Sequence, residues 1–189
     1  MHVTSALTVA IDYNGRTMPD KRARIVVEVM GDGDIDDVLE IEGASFERTG
    51  SDGRLDGTRL REELARAWAR LWVARSEPKG TARAVLVAWH VGDELHILDV
   101  ATTPALRRRG FARALLEVVL RYARDRGVRH LLLEVRRSNV AAIKLYRAQG
   151  FWAMGVRPKY YPDGEDAVEM VLRLDERGAV VGSKDEIAI

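Results

Sequence analysis

The chain has 189 residues, no cysteine, and 30 Lys and Arg against 29 Asp and Glu. That length suits one domain able to bury its own core, and the near-neutral balance argues against a bulk binder of nucleic acid or anionic membrane. Without cysteine there is no disulfide, no thiolate metal site and no cysteine nucleophile. The four histidines have no HExxH-like spacing, so no metal is expected.

The N-terminal MHVTSALTVAID lacks a basic n-region, and its apolar run is short for a signal peptide. No segment approaches the roughly 20 apolar residues that cross a bilayer. These features read as a soluble, cytoplasmic protein. Residues 1–24 form an N-terminal extension in which Leu7, Val9, Ile11 and Tyr13 alternate ahead of Asn14-Gly15, the pattern of an extra strand and turn. RIVVEVM (24–30) reads as a strand. DIDDVLEIEGASF (34–46) reads as a helix with Ile35, Val38, Leu39 and Ile41 on one stripe. ERTGSDGRLDG (47–57) is a loop, and TRLREELARAWARL is a second helix capped by Asp56 or Thr58.

Three strands follow, over 71–76, 81–91 and 94–102, with a hairpin corner at Gly92-Asp93. After LRRRG, residues Phe111, Leu115, Val118, Val119 and Tyr122 fall on one helical face, and Gly127 stops that helix. HLLLEVRR (130–137) is a strand. NVAAIKLYRAQG (139–150) is a short helix with an Asn cap and a Gly stop. FWAMGVRP and DAVEMVLRL make two more strands around the loop KYYPDGE, and residues 175–189 are a polar tail, read as disordered. The sum is a mixed α/β domain over residues 25–174 with about seven strands and about four helices.

The strand-turn-helix unit at Thr102 to Gly110 has a chemical meaning. A helix begins with unpaired N–H groups and a positive dipole end, which together attract anions. Gly110 and Ala112 leave the backbone open, and Arg108, Arg109 and Arg113 add charge. A solvated basic turn reads equally well from spacing alone. Neither GxxxxGK[ST] nor a GxGxxG after a strand is present, so two nucleotide-binding signatures are ruled out.

Arg107-Arg108-Arg109-Gly110-Phe111-Ala112 matches the Q/R-x-x-G-x-G/A signature of the GNAT superfamily of N-acetyltransferases. From HILDV through LEVRRSNVAAIKLYRAQGF to KYYPDGEDAVEM, over residues 84–174, the chain resembles the ribosomal-protein-alanine N-acetyltransferase branch; residues 25–46 resemble its first strand and helix more loosely. The resemblance implies the GNAT fold: α/β, with a mixed, mostly antiparallel sheet of about seven strands splayed between the fourth and fifth, and about four helices. It implies acetyl-CoA as cosubstrate, its diphosphate on the backbone of Arg107, Arg108, Arg109, Gly110, Phe111, Ala112 and Arg113. Val100, Ala101 and Thr102 would pair with the pantetheine arm, and the Asn139 amide would face it as well as cap its helix.

Acetyl transfer needs a neutral amine, a polarised carbonyl and a protonated leaving group. An α-amino group titrates near 7.7 to 8.0 and lysine near 10.4, so a base has less to do at a protein N-terminus. Glu134 lies in LLLEVRR, where a carboxylate amid leucines is expected to be desolvated and made more basic, or else to pair with Arg136 or Arg129. The resemblance names Glu134 as general base. It names Tyr146, whose spacing with Ile143 and Leu145 also suits a core residue, as proton donor to the leaving thiolate. It places Tyr160 and Tyr161 beside the acceptor, where the bland alternative is two rings capping the core. A cysteinyl intermediate is impossible, which favours direct transfer.

The implied acceptor is a protein or peptide N-terminus, a ribosomal-protein alanine first, with no direct nucleic-acid or membrane partner, the enzyme being a monomer or homodimer. The alternatives are a GNAT acting on a lysine side chain or small amine, and a non-catalytic acyl-CoA-binding sensor. The family's Pro-Trp pair after the first helix is replaced here by SFERTGSDGRLDG, which leaves acceptor identity open.

Overall fold

The computed structural model describes residues 25–45 and 56–182. The alternating segment at 7–13 and the glycine-rich loop at 47–55 lie outside those residues. The described residues divide into two compact units, those up to 88 with 99–118, and 89–98 with those from 119 onward. Strands β3 (Ala82–Val91) and β4 (Glu94–Thr102) and helix α3 (Phe111–Asp125) run through both.

In the first unit the ladder order is β1 (Val26–Val29), β2 (Ala69–Arg75), β3, with β1 antiparallel to β2. Helix α1 (Ile35–Ser45) follows a single 3-10 turn and buries Ile35, Val38 and Ile41, three of the four stripe residues. Helix α2 (Gly57–Ala65) opens on Asp56, whose side chain accepts from the Arg59 amide at 2.8 Å. It ends six residues earlier than its sequence suggested. Arg66 is already extended and the chain enters β2 at Ala69, because Leu71, Trp72 and Val73 are worth more inside the sheet than on a marginal helix. Arg75 is buried with three partners: Glu28 Oε2 at 2.7 Å, Asp34 Oδ1 at 2.5 Å and the Gly80 carbonyl.

The second unit begins at the β3–β4 hairpin and continues in the order β4, β5 (His130–Arg136), β7 (Ala167–Leu174), β6 (Trp152–Arg157). β4 and β5 are parallel, and β5, β6 and β7 pair antiparallel. The parallel register covers only Glu94–Ile97 against His130–Leu133, although β4 runs on to Thr102 and β5 to Arg136. The ladder thus opens after four pairs, the splay expected between the fourth and fifth strands.

Helix α4 (Val140–Ala148) starts where Asn139 accepts from the Ala142 amide at 3.1 Å. In α3 the stripe residues Phe111, Leu115, Val118 and Val119 are buried, and the helix closes with Val128 N–H donating to the Ala123 carbonyl at 2.9 Å. A buried leucine contributes roughly 1.5–3 kcal/mol, so Leu115 and Leu116 alone anchor this helix firmly. Within the stretch read as a disordered tail, Val180–Val181 form β8, an eighth strand on the edge of β7. The Arg124 guanidinium holds the turn before it by donating to the Gly178 carbonyl at 2.9 Å.

Candidate active site

The residues singled out above divide between the two units. In the first, β4 ends at Thr102, a 3-10 turn spans Pro104–Leu106, and the arginine turn leads into α3. The first intrahelical bond runs from the Ala114 amide to the Gly110 carbonyl at 2.9 Å. Among the described residues the amides of Gly110, Phe111 and Ala112 have no acceptor, so three N–H groups converge at the positive end of the helix dipole. Gly110 has φ 90°, a conformation only glycine adopts without strain. Arg108 has φ 63°, a left-handed backbone that an ordinary residue occupies at a cost of order 1 kcal/mol. The turn therefore has a specific backbone conformation, with the side chains of Arg107, Arg108 and Arg109 exposed to solvent.

The arginines themselves are used unequally. Arg113 pairs with Glu117 at 2.9 Å along the helix, and Arg107 Nε donates to the Thr102 carbonyl at 3.4 Å. Arg108 and Arg109 are exposed and make no ion pair among the described residues. The Thr102 carbonyl also accepts from Ser45 Oγ at 3.3 Å. Both bonds are long, so they restrain this carbonyl only weakly. Ala101 is buried, while Val100 and Thr102 are half-buried.

One neighbour in this unit carried no signal in the sequence. Asp99, on β4, is hydrogen-bonded to Glu42 of α1, and its Oδ2 is buried without a partner. Burial pushes the Asp99 carboxyl above its ordinary range, against the smaller opposing effects of the Glu42 bond and the Val100 amide. The two carboxyls can share a hydrogen bond only when one of them is protonated.

The second unit holds the candidate acceptor side. Glu134 is not buried among leucines: it is exposed on β5, because Leu131, Leu133 and Val135 turn to the opposite, buried face. Nor does it pair with Arg136 or Arg129. Its cation is Arg157 on β6, whose Nη1 lies 3.5 Å away. Arg157 binds Glu169 of β7 more tightly, Nε to Oε1 at 2.6 Å, and Glu169 stands directly opposite Glu134 in the β5–β7 register. The hydrogen bond to Glu169 and its charge raise the Arg157 pKa most, the charge of Glu134 adds a smaller rise, and desolvation opposes them. Gly155 makes this possible: a Cβ there would lie 2.5 Å from Glu169 Oε2.

The tyrosine loop closes over the same face. Tyr160 and Tyr161 meet edge to face with centroids 5.2 Å apart; Arg157 lies over the Tyr160 ring at 5.6 Å and Arg136 over the Tyr161 ring at 4.0 Å. Burial pushes the Tyr161 phenol up to about 12 despite the nearby Arg136, so it stays neutral through the physiological range. Arg136 binds Asp163 at 2.7 Å and Glu165 at 2.8 Å. Glu165 also accepts from the Ser138 amide at 2.8 Å; Ser138 first and Arg136 after it hold its carboxyl down at about 2.

Thus Glu134, Tyr160 and Tyr161 are brought together, with Arg157 and Glu169 as neighbours the sequence did not suggest, and Arg136, suggested there as a partner of Glu134, bound to Asp163 and Glu165 instead. The polar position of Glu169 in AVEMVLRL, two strands later in the chain than Glu134 but adjacent in the sheet, was the signal available for it. Tyr146 is buried and packs on Phe151 with centroids 5.8 Å apart, and Asn139 serves as helix cap.

A parallel β4–β5 pair in a sheet whose β5–β7 and β6–β7 ladders are antiparallel, with a long helix following the fourth strand in the chain, is the element order of the GNAT fold. The chain belongs to the acetyltransferase (GNAT) family, whose model matches residues 35–151. It is 44% identical over 96 residues to the ribosomal protein bS18-alanine N-acetyltransferase of Escherichia coli strain K12, a match covering 49% of this chain and 65% of that relative. A putative ribosomal protein bS18-alanine N-acetyltransferase of Bacillus subtilis strain 168 is 32% identical over 144 residues, 76% of this chain and 91% of the relative. The crystal structure of the Escherichia coli ribosomal-protein-S18-alanine N-acetyltransferase superposes with a TM-score of 0.67 at 27% identity, over 87% of this chain and 99% of that one.

Proposed function

We propose that the protein transfers an acetyl group from acetyl-CoA to the α-amino group of a protein N-terminus, with a ribosomal-protein alanine as the first acceptor to try. The turn from Arg107 to Arg113 holds the diphosphate through the amides of Gly110, Phe111 and Ala112, with Arg108 and Arg109 as unpaired complements to its charge. Val100 to Thr102 present strand backbone to the pantetheine arm, and the Asn139 amide adds a polar contact. Glu134 takes the proton of the arriving ammonium, directly or through one water. The freed amine attacks the thioester carbonyl, the carbon–sulfur bond breaks, the Tyr146 phenol protonates the departing thiolate, and the proton shed by the nitrogen as the amide forms leaves through solvent, which reprotonates Tyr146.

The observation that carries the acceptor half is an exposed carboxylate with Arg157 at 3.5 Å, the same guanidinium lying over Tyr160, which packs edge to face on Tyr161. A glutamate kept only to staple a sheet edge would need no such surround. The test is Glu134→Gln, assayed with acetyl-CoA and an alanine-initiated peptide against free lysine and a polyamine. Turnover on the peptide should fall about 10²-fold or more, with acetyl-CoA affinity nearly unchanged. Equal turnover by the variant would remove Glu134 as base, and preference for lysine or polyamine would remove the N-terminal acceptor.

A further inference from the structure

Two carboxylates directly opposite one another on a ladder repel, and the chain supplies Glu134 and Glu169 with one guanidinium between them. That guanidinium is not shared evenly. Arg157 sits on Glu169 at 2.6 Å and only reaches towards Glu134 at 3.5 Å. The other charges nearby are committed elsewhere: Arg136, on the same strand as Glu134, is held by Asp163 and Glu165. The loop contributes the rings of Tyr160 and Tyr161, and burial keeps the Tyr161 phenol neutral. Glu134, Glu169 and Arg157 together therefore keep one negative charge uncompensated, and the loosely held carboxylate is Glu134.

We propose that Glu169 is a positioning residue that parks the Arg157 guanidinium on itself, leaving Glu134 open to the ammonium group of an incoming acceptor amine. The proposal rests on Glu134 being the acceptor's base. Gly155 is part of the device. The register of β6 against β7 shifts between Ala153 and Gly155, and the missing Cβ gives the Glu169 carboxylate the space in which it meets Arg157. When Glu169 loses its charge, the remaining carboxylate for Arg157 is Glu134, and the guanidinium then competes with the acceptor.

The experiment is a double-substitution cycle on the full chain, read as acceptor KM and kcat for an N-terminal peptide, with acetyl-CoA Kd as control. Glu169→Gln should raise acceptor KM about three- to fivefold, the worth of one exposed ion pair, with kcat and acetyl-CoA Kd unchanged. Adding Arg157→Gln to that variant should return KM to near the starting value, which a merely structural loss would not do. Gly155→Ala, which displaces the flexible end of Glu169 rather than backbone, should reproduce Glu169→Gln. An unchanged KM in Glu169→Gln, or a double variant as poor as the single, overturns the proposal. If instead Glu134→Gln keeps full turnover, the base reading has failed and the proposal falls with it, whatever the Glu169 variants do.

Discussion

Asp99 shows what one residue costs when its surroundings disagree with its charge. Its raised pKa means the native state favours the protonated form over the unfolded chain. That contribution is present below the ordinary carboxylate range and is lost as pH rises through the folded value. Asparagine stays neutral and can still donate to Glu42 and accept from the Val100 amide. Asp99→Asn should therefore raise Tm at pH 7 to 8 by roughly 2–4 °C, about 1 kcal/mol for a chain of this size, and give no gain near pH 4. Equal gains at both pH values in calorimetric scans would show that something other than protonation is at work. Glu134 makes the complementary point about sequence reading. Alternation along LLLEVRR leaves only Leu132 and Arg136 on its face, yet desolvation was expected; that face is open at Glu134, and its nearest charges come from β6 and β7.

At the scale of an element, the tyrosine loop is held by charge rather than by a core. Glu165 ties it to the start of α4 through Ser138 and to β5 through Arg136. Its pKa is depressed from 4.5 to about 2, so the stability it supplies is complete above pH 4.5 and drains away as pH falls towards 2. Glu165→Gln should be less stable than the parent at neutral pH, and the gap should close across that acid window in urea titrations. A constant gap would mean the carboxylate's charge is not what holds the loop. Elements with a strong period were plain in the sequence: α3 from its stripe, α4 from its Asn cap, β2 to β4 from their apolar runs. The end of α2 and the strand β8 were not. Helix-forming residues after Ala65 are overridden by burial in β2, and a two-residue strand has no period to detect.

For the molecule as a whole, ligand linkage provides the measure. A carrier that binds only the folded chain stabilises it by about 2.7 kcal/mol at a hundredfold excess over Kd. Acetyl-CoA should then raise Tm by roughly 5–10 °C. Gly110→Val should flatten that response, because a branched residue cannot hold φ 90° and the amides of the turn would scatter. No shift in the parent would contradict the diphosphate assignment. The fold was legible because its signature, Thr102 to Arg113 above all, is contiguous in the chain, and the same contiguity is what let the proposed carrier turn be singled out. The acceptor half depends on register between strands, which distance along the chain conceals.

The short strand β8 also has practical weight. Val180 pairs with Leu174, and its Cγ1 lies 3.0 Å from where a Cβ on Gly150 would stand, so residues 175–181 fasten over the end of α4. An affinity tag spliced in after Leu174 would break the Leu174–Val180 pairing and pull Val180 away from Gly150. The same tag fused beyond Gly182 would leave the clasp shut.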